Sequence, residues 1–296
     1  MAELAGTSAE HRDYKRIGVH RIAGALGAEI QGVDIANGVD DETFEEIHRA
    51  WLENCVVYFR DQNLTPSQHV AFARRVGGIH PHLLNKGLEG HPEIVEVKKV
   101  PDQKLNNGGR WHSDQMYTPS PAKGTMLYSR ELPPKGGDTM FSNLYLAHDA
   151  LSEGMRKTLD GLKGVSNGDS RNHPSGLTRM ERIKAGLGTI PQVDPGDAQI
   201  VSAHPLIRTH PETGRKALYI GSHTESIEGW SAEESAPLLD YLKEFTHRPE
   251  FTCRVRWSLN MLTFWDNRCT QHFAVNDYQG HQRSIHKIMI QGDAPF

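Results

Sequence analysis

Long apolar runs are absent from this sequence. None approaches the ~20 residues that a membrane-spanning helix needs, and the opening stretch, 1–16, is polar, without the apolar segment of a signal peptide. Cysteine is scarce. Cys55, Cys253 and Cys269 are far apart, odd in number and form no Cys-x-x-Cys pair, so they read as reduced thiols of a cytoplasmic protein. No charge of one sign prevails: 33 basic against 37 acidic residues give a net charge of -4, with no block of like charge. That argues against nucleic acid or an anionic membrane as a partner. Internal repeats, low-complexity linkers and a regular β-α-β alternation are missing too.

What is present is enough apolar sequence, 37% of 296 residues, to bury a full core. Residues 1–15 read as a flexible tail and 16–296 as one domain. Short β-branched stretches broken by Gly24, Gly27 and Gly32 predict strands between Ile17 and Ile35. Asp40 to Asn54 has acidic residues at its start and Phe44, Ile47 and Trp51 on one face, which predicts a helix. Thr65-Pro66-Ser67-Gln68 and Ser231-Ala232-Glu233-Glu234 are capping boxes, opening helices that run to Gly77 and towards Phe245. Helical patterning also follows Asn143, with Ser152 capping a segment that ends near Leu162. Strands are predicted at Val56–Arg60, Glu93–Val100, Gly124–Leu132, Pro205–Thr209, Lys216–Ile220, Phe251–Trp257, Met261–Trp265 and Ser284–Ile290. Strands in both halves with helices set beside them favour a mainly β fold, a sandwich or jelly roll with flanking helices, over a doubly wound sheet. The Gly-, Pro- and Asn-rich stretch 166–198 is long for a connection inside a compact domain and reads as a lid.

Histidine is abundant, with 17 copies, which raises the expectation of a metal without locating it. On a strand, residues two apart face the same way, so His-x-Asp offers an imidazole and a carboxylate to one ion. A further histidine from a distant strand completes a facial triad whose open side suits iron(II) and oxygen. His-x-Asp/Glu occurs five times, at His11/Asp13, His91/Glu93, His112/Asp114, His210/Glu212 and His223/Glu225. The first lies in the tail, and a central proline ill suits two others to an interior strand. His112/Asp114 and His223/Glu225 remain, and spacing alone does not choose between them.

The surroundings of His112 do choose. Gly108-Gly109-Arg110-Trp111-His112-Ser113-Asp114 is followed far downstream by Trp265-Asp266-Asn267-Arg268 and His272, with Arg283 eleven positions later. With Phe72-Ala73-Arg74-Arg75, Gly136-Gly137-Asp138-Thr139, Arg208-Thr209-His210 and Gly214-Arg215-Lys216, the sequence resembles the taurine dioxygenase and 2,4-dichlorophenoxyacetate dioxygenase family over about Gly18 to Asp293. The resemblance implies a double-stranded β-helix, iron(II) on His112, Asp114 and His272, and the distal carboxylate of 2-oxoglutarate on Thr139 and Arg283. An arginine fork suits a carboxylate, and a threonine hydroxyl adds a donor. With oxygen as co-substrate, it implies oxidative decarboxylation to succinate and carbon dioxide, coupled to hydroxylation.

The same resemblance places His82, Gln115, Tyr117 and Lys287 at the substrate. Lys287 stands where relatives carry an arginine, and Asn85 where they carry an aromatic residue. Both departures argue against taurine itself and favour a small organic anion such as an aryloxyalkanoate, alkyl sulfonate or sulfate ester, which hydroxylation would cleave. The stretch Arg208 to Trp257 leans towards the aryloxyalkanoate. Trp265-Asp266-Asn267 is expected to turn the chain so that His272 faces inward, and Cys269 to be a small core residue. The partners expected are this substrate and further copies of the chain, as a dimer or tetramer. A jelly-roll protein that binds metal and 2-oxoglutarate without turnover, and a zinc hydrolase on the same triad, are the alternatives.

Overall fold

Local signals set most of the elements in the computed structural model, which describes residues 14–170, 175–185, 196 and 198–296. The expected tail up to residue 13, and much of the expected lid, lie outside the described residues. Strands β1 (Gly18–Arg21) and β2 (Ala28–Gln31) form a hairpin. Helix α1 (Asp41–Asn54) starts where the Asp40 side chain accepts from Thr43 N, and buries Ile47, Ala50 and Trp51. Then come β3 (Val56–Phe59) and α2 (Pro66–Val76), which opens with the reciprocal Thr65/Gln68 capping box. Strands β4 (Ile79–His80), β5 (Val95–Lys99), β6 (Gly124–Glu131) and β7 (Thr139–Asn143) lead to short helices α3 (Leu144–Asp149) and α4 (Glu153–Leu159), capped by Asn143 and Ser152.

Next are β8 (Lys163–Asn167), α5 (Arg179–Lys184), β9 (Val201–Pro205), β10 (Ile207–Thr209), β11 (Lys216–Leu218) and β12 (Thr224–Ile227). Helix α6 (Ala232–Thr246) opens with the Ser231/Glu234 capping box, and β13 (Thr252–Val255), β14 (Leu262–Asp266), β15 (Thr270–Ala274) and β16 (Arg283–Ile290) complete the chain. Two expectations shift. The single strand predicted over Pro205–Thr209 is two, β9 and β10, in different sheets. The helix expected to reach Leu162 stops at Leu159, with Gly161 in the left-handed region.

The main sheet runs β1-β2-β3-β14-β6-β16-β4, with β5 beside β4 on the same edge of β16. A smaller sheet, β13-β7-β15, faces it. Alternation along each strand explains the packing. Val57 and Phe59 of β3, Met126 and Tyr128 of β6, Leu262 and Phe264 of β14, and Ile288 and Ile290 of β16 join one core with α1 and α2. There Trp51 stacks on Phe264 with centroids 4.3 Å apart. Their neighbours Val56, Tyr58, Leu127, Trp265 and Ile285 face the other way and pack with Phe141 of β7 in the sandwich interior. Both faces of these strands are covered, so they read as continuous apolar runs. The result is the helix-flanked β-sandwich expected from the sequence, and its interior opens into a cavity between the sheets.

Candidate active site

The cavity, about 140 Å³, is lined by residues far apart in sequence, among them His112, Asp114, Thr139, His272, Arg283 and Lys287. His272 comes from β15, whose main chain bridges to residue 112: His112 N donates to His272 O at 3.1 Å and His272 N to His112 O at 2.8 Å. This corrects the expectation of a His-x-Asp strand. His112 makes one isolated bridge, and Asp114 already lies in a turn that continues through Gln115 at φ 51. Ser113 faces away and its hydroxyl donates to Thr270 O at 2.7 Å, so the parity that the motif needs survives without a ladder. One ligand atom each from His112, Asp114 and His272 lies within 4.8 Å of the others.

The electrostatics suit a cation. His112 Nδ1 lies 2.7 Å from Arg110 O, which places the ring proton on Nδ1 and leaves the Nε2 lone pair towards Asp114 Oδ1, 3.7 Å away. His272 Nε2 lies 4.0 Å from the same oxygen. Burial, reinforced by the neighbouring His112, keeps the His272 imidazole neutral well below the ordinary histidine range. Burial opposes the charge on Asp114, but Lys287 and the two imidazoles outweigh it and hold the carboxyl well below the usual carboxylate range. Two imidazole nitrogens and a carboxylate are a donor set that suits a divalent metal.

Asp114 is held from behind. Thr125, on the cavity-facing parity of β6, donates to Asp114 Oδ2 at 2.6 Å and accepts from Asn267 Nδ2 at 2.9 Å. Asn267 Oδ1 accepts from Trp265 Nε1 at 2.9 Å and from Asp114 N at 3.2 Å. Trp265-Asp266-Asn267 therefore carries β14 of one sheet into β15 of the other and also fixes the carboxylate. Sequence reasoning passed over Thr125. Its signal was a hydroxyl on the buried face of a strand.

At another wall of the cavity Arg283 is 5% exposed, and its Nε and Nη2 have no hydrogen-bond partner. Nitrogens of a buried cation left in that state are costly without a ligand. Thr139 Oγ1 accepts from Trp257 Nε1 at 3.1 Å, which leaves its own proton to donate. A Cβ at Gly137, where φ is +72, would lie 3.2 Å from Arg283 Cδ, so glycine there admits both the turn and the arginine. These groups fit the distal carboxylate of 2-oxoglutarate.

Of the residues expected at the substrate, all four line the cavity. Gln115 is 3% exposed, meets His80 Nε2 through Oε1, and leaves Nε2 unpartnered. His82 accepts from Leu84 N at 3.3 Å and meets the Asn85 carboxamide at 3.0 Å. Tyr117 packs edge-on against His223, centroids 5.1 Å apart. Lys287 shares the cavity with Arg283, as their common parity on β16 predicts, but its ammonium donates to Asp114 Oδ1 at 2.6 Å. Asn107 and His223 also line the cavity and were not singled out as substrate contacts. The competing pair divides, with His223 at the cavity while Glu225 takes a hydrogen bond from Asn167.

The model of the taurine catabolism dioxygenase TauD, TfdA family matches residues 18–289. The chain belongs to that family. An alpha-ketoglutarate-dependent sulfate ester dioxygenase of Pseudomonas putida is 30% identical over 100% of this chain and 95% of its own length. An (S)-phenoxypropionate/alpha-ketoglutarate-dioxygenase of Sphingobium herbicidovorans is 32% identical over 90% of this chain and 92% of its own. A crystal structure of a taurine dioxygenase from Burkholderia xenovorans superposes with a TM-score of 0.78 at 34% identity, covering 95% of this chain and 93% of that one. The fold is thus the jelly roll of this family, and the chain is an oxidoreductase whose cofactors are iron(II), 2-oxoglutarate and oxygen. No helix among the described residues is long and apolar enough to cross a membrane.

Proposed function

We propose that the enzyme hydroxylates a small organic anion, an aryloxyalkanoate, alkyl sulfonate or sulfate ester, at a carbon beside the oxygen or sulfur substituent, so that the product falls apart. His112, Asp114 and His272 hold the iron, and Thr139 and Arg283 hold 2-oxoglutarate. The observation that carries this reading is the buried Arg283 fork, short of hydrogen-bond partners and facing the same cavity as two imidazoles and a carboxylate. Iron, when bound, supplies the oxygen activation that couples decarboxylation of 2-oxoglutarate to hydroxylation of the substrate.

The residues of the chain bind and orient. The Arg283 guanidinium and the Thr139 hydroxyl give the distal carboxylate three donors in fixed directions. Gln115 Nε2 offers a donor on the substrate side, His82 presents a ring held by Leu84 and Asn85, and Lys287 brings the positive charge that favours an anion. Tyr117 forms an apolar wall, and the start of the 166–198 insert packs on it: a Cβ at Gly168 would lie 2.7 Å from its ring. That contact supports the insert as a lid which keeps water from the reacting carbon. Buried free thiols at Cys55, Cys253 and Cys269 support a cytoplasmic setting. Exposed Trp230, Tyr241 and Leu259 support assembly as a dimer or tetramer, which sedimentation velocity tests.

Anaerobic addition of iron(II) and 2-oxoglutarate should give a weak visible charge-transfer band, lost in Arg283→Gln unless 2-oxoglutarate is raised far above the wild-type requirement. A panel of phenoxy acids, sulfonates and sulfate esters should include members that stimulate succinate release above the substrate-free rate. A panel of such anions with no stimulating member would remove the substrate proposal, and an absent band would remove the site.

A further inference from the structure

On the iron-site reading above, the metal must use one of the two Asp114 carboxylate oxygens. Asp114 Oδ2 is turned away into the Thr125 hydroxyl, 2.6 Å away. Oδ1 is the oxygen that faces both imidazoles, with His112 Nε2 at 3.7 Å and His272 Nε2 at 4.0 Å. The Lys287 ammonium donates to this same Oδ1 at 2.6 Å. Among the described residues Asp114 is the carboxylate that pairs with Lys287, and the lysine side chain is 13% exposed. Its backbone cannot withdraw, because residue 287 sits mid-strand between Val95 of β5 and Leu127 of β6. Any divalent ion held by the two imidazoles and Oδ1 therefore meets a resident cation on its own ligand oxygen.

We propose that Lys287 is a positioning residue for the metal, one that weakens the site's hold on a divalent cation by competing for Asp114 Oδ1. Two effects act in the same direction. A hydrogen bond from an ammonium draws electron density from the coordinating oxygen, and the ammonium repels the ion across a short, largely buried gap. The site is built to exchange its metal more readily than its ligands alone would dictate, and a neutral side chain of similar length at position 287 tightens it.

Manganese(II) alone, without 2-oxoglutarate, is the probe, and free ion is measured by electron paramagnetic resonance on the chelator-stripped full chain at neutral pH. Lys287→Met should lower the dissociation constant at least about tenfold, the order of effect expected from removing one positive charge close to a divalent ion. Lys287→Gln should shift it the same way, and decides the matter if the methionine variant does not fold. Lys287→Arg, which keeps the charge, should stay nearer the wild-type value than either. His272→Ala should lose the ion. Unchanged or weaker binding in both neutral variants, with binding still dependent on His272, would overturn the role of Lys287 while leaving the metal site standing. Binding that survives His272→Ala would instead overturn the site itself. Damage to the fold weakens a metal site, so a gain in affinity cannot arise from it.

Discussion

Two buried carboxylates, Asp114 and Asp266, each sit among histidine and a cationic side chain, and both groups bring three potential ligands within 4.8 Å. Their surroundings make opposite things of them. Asp266 Oδ1 accepts from Arg268 Nε at 2.9 Å, and Oδ2 accepts from Arg268 Nη2 at 2.7 Å and meets His210 Nε2 at 3.0 Å. His210 Nδ1 in turn accepts from Glu212 N and Thr213 N. With Arg268 N also donating to Oδ1 the carboxylate is fully engaged, Cys269 is a buried thiol pushed well above its ordinary range by that burial, and the group is a closed knot that joins β14 to the β10–β11 ribbon. Asp114 turns one oxygen towards two imidazole nitrogens and a lysine on a flexible stem. A planar arginine fork closes a carboxylate, whereas a point-charge ammonium leaves it able to change partners. A cluster of ligand-type residues marks a metal site only where lone pairs remain to be used.

The sharpest way to break this contrast is to neutralise each carboxylate. Asp114→Asn should cut succinate formation below about one-thousandth of wild type in a protein that still folds. Asp266→Asn should leave Arg268 buried without its counter-charge and cost about 3–5 kcal/mol in chemical denaturation. If Asp266→Asn abolished metal binding in a protein of unchanged stability, the two centres would have been read the wrong way round. Next in size, Thr125→Val removes the hydroxyl behind Asp114 Oδ2 and should weaken manganese(II) binding about 10–100-fold in a folded protein. Arg268→Lys keeps charge but loses the fork, and should cost about 1–3 kcal/mol with manganese(II) affinity unaltered.

The smallest effect is one of pH, again on the closed centre. Hydrogen bonding from His48, then from Arg268, holds the Glu212 carboxyl down at about 2, with burial working the other way. A carboxyl lowered in the folded state binds fewer protons than in the unfolded chain. Its contribution is therefore present above the ordinary value of about 4.3 and is lost as pH falls towards about 2. Glu212→Gln should be less stable than wild type near neutrality, and urea titrations should show the gap closing through that window. A gap that stays constant with pH would mean that the ion pair contributes nothing.

Much of this was legible beforehand because it depends on one residue type at one place in a pattern. Asp40, Thr65, Ser152 and Ser231 announce their helices, since a cap is a bond between near neighbours. Val56–Arg60 and Met261–Trp265 announce strands because both faces are buried. Less legible were β7, β12 and β15, short and mixed in polarity, whose existence depends on partners far along the chain. His210-Pro211-Glu212 and His223-Thr224-Glu225 share the spacing of His112-Ser113-Asp114; the proline in one and the sequence around His112 set them apart, and their neighbours in space give the physical reason.

By itself the sequence determined the residue types and spacings: the helix-flanked β pattern, the His-x-Asp, the distant histidine, and the arginine and lysine that share a strand face. Periodicity records whether a side chain is buried, which is a property of that position alone. Tertiary structure decided which buried polar groups pair. Lys287 reaches Asp114 across 173 residues and Asn267 reaches it across 153. Such pairs form only when the sheets are brought together, so no local pattern could have shown that the lysine serves the carboxylate or that one of two similar acids turns an oxygen towards two imidazoles.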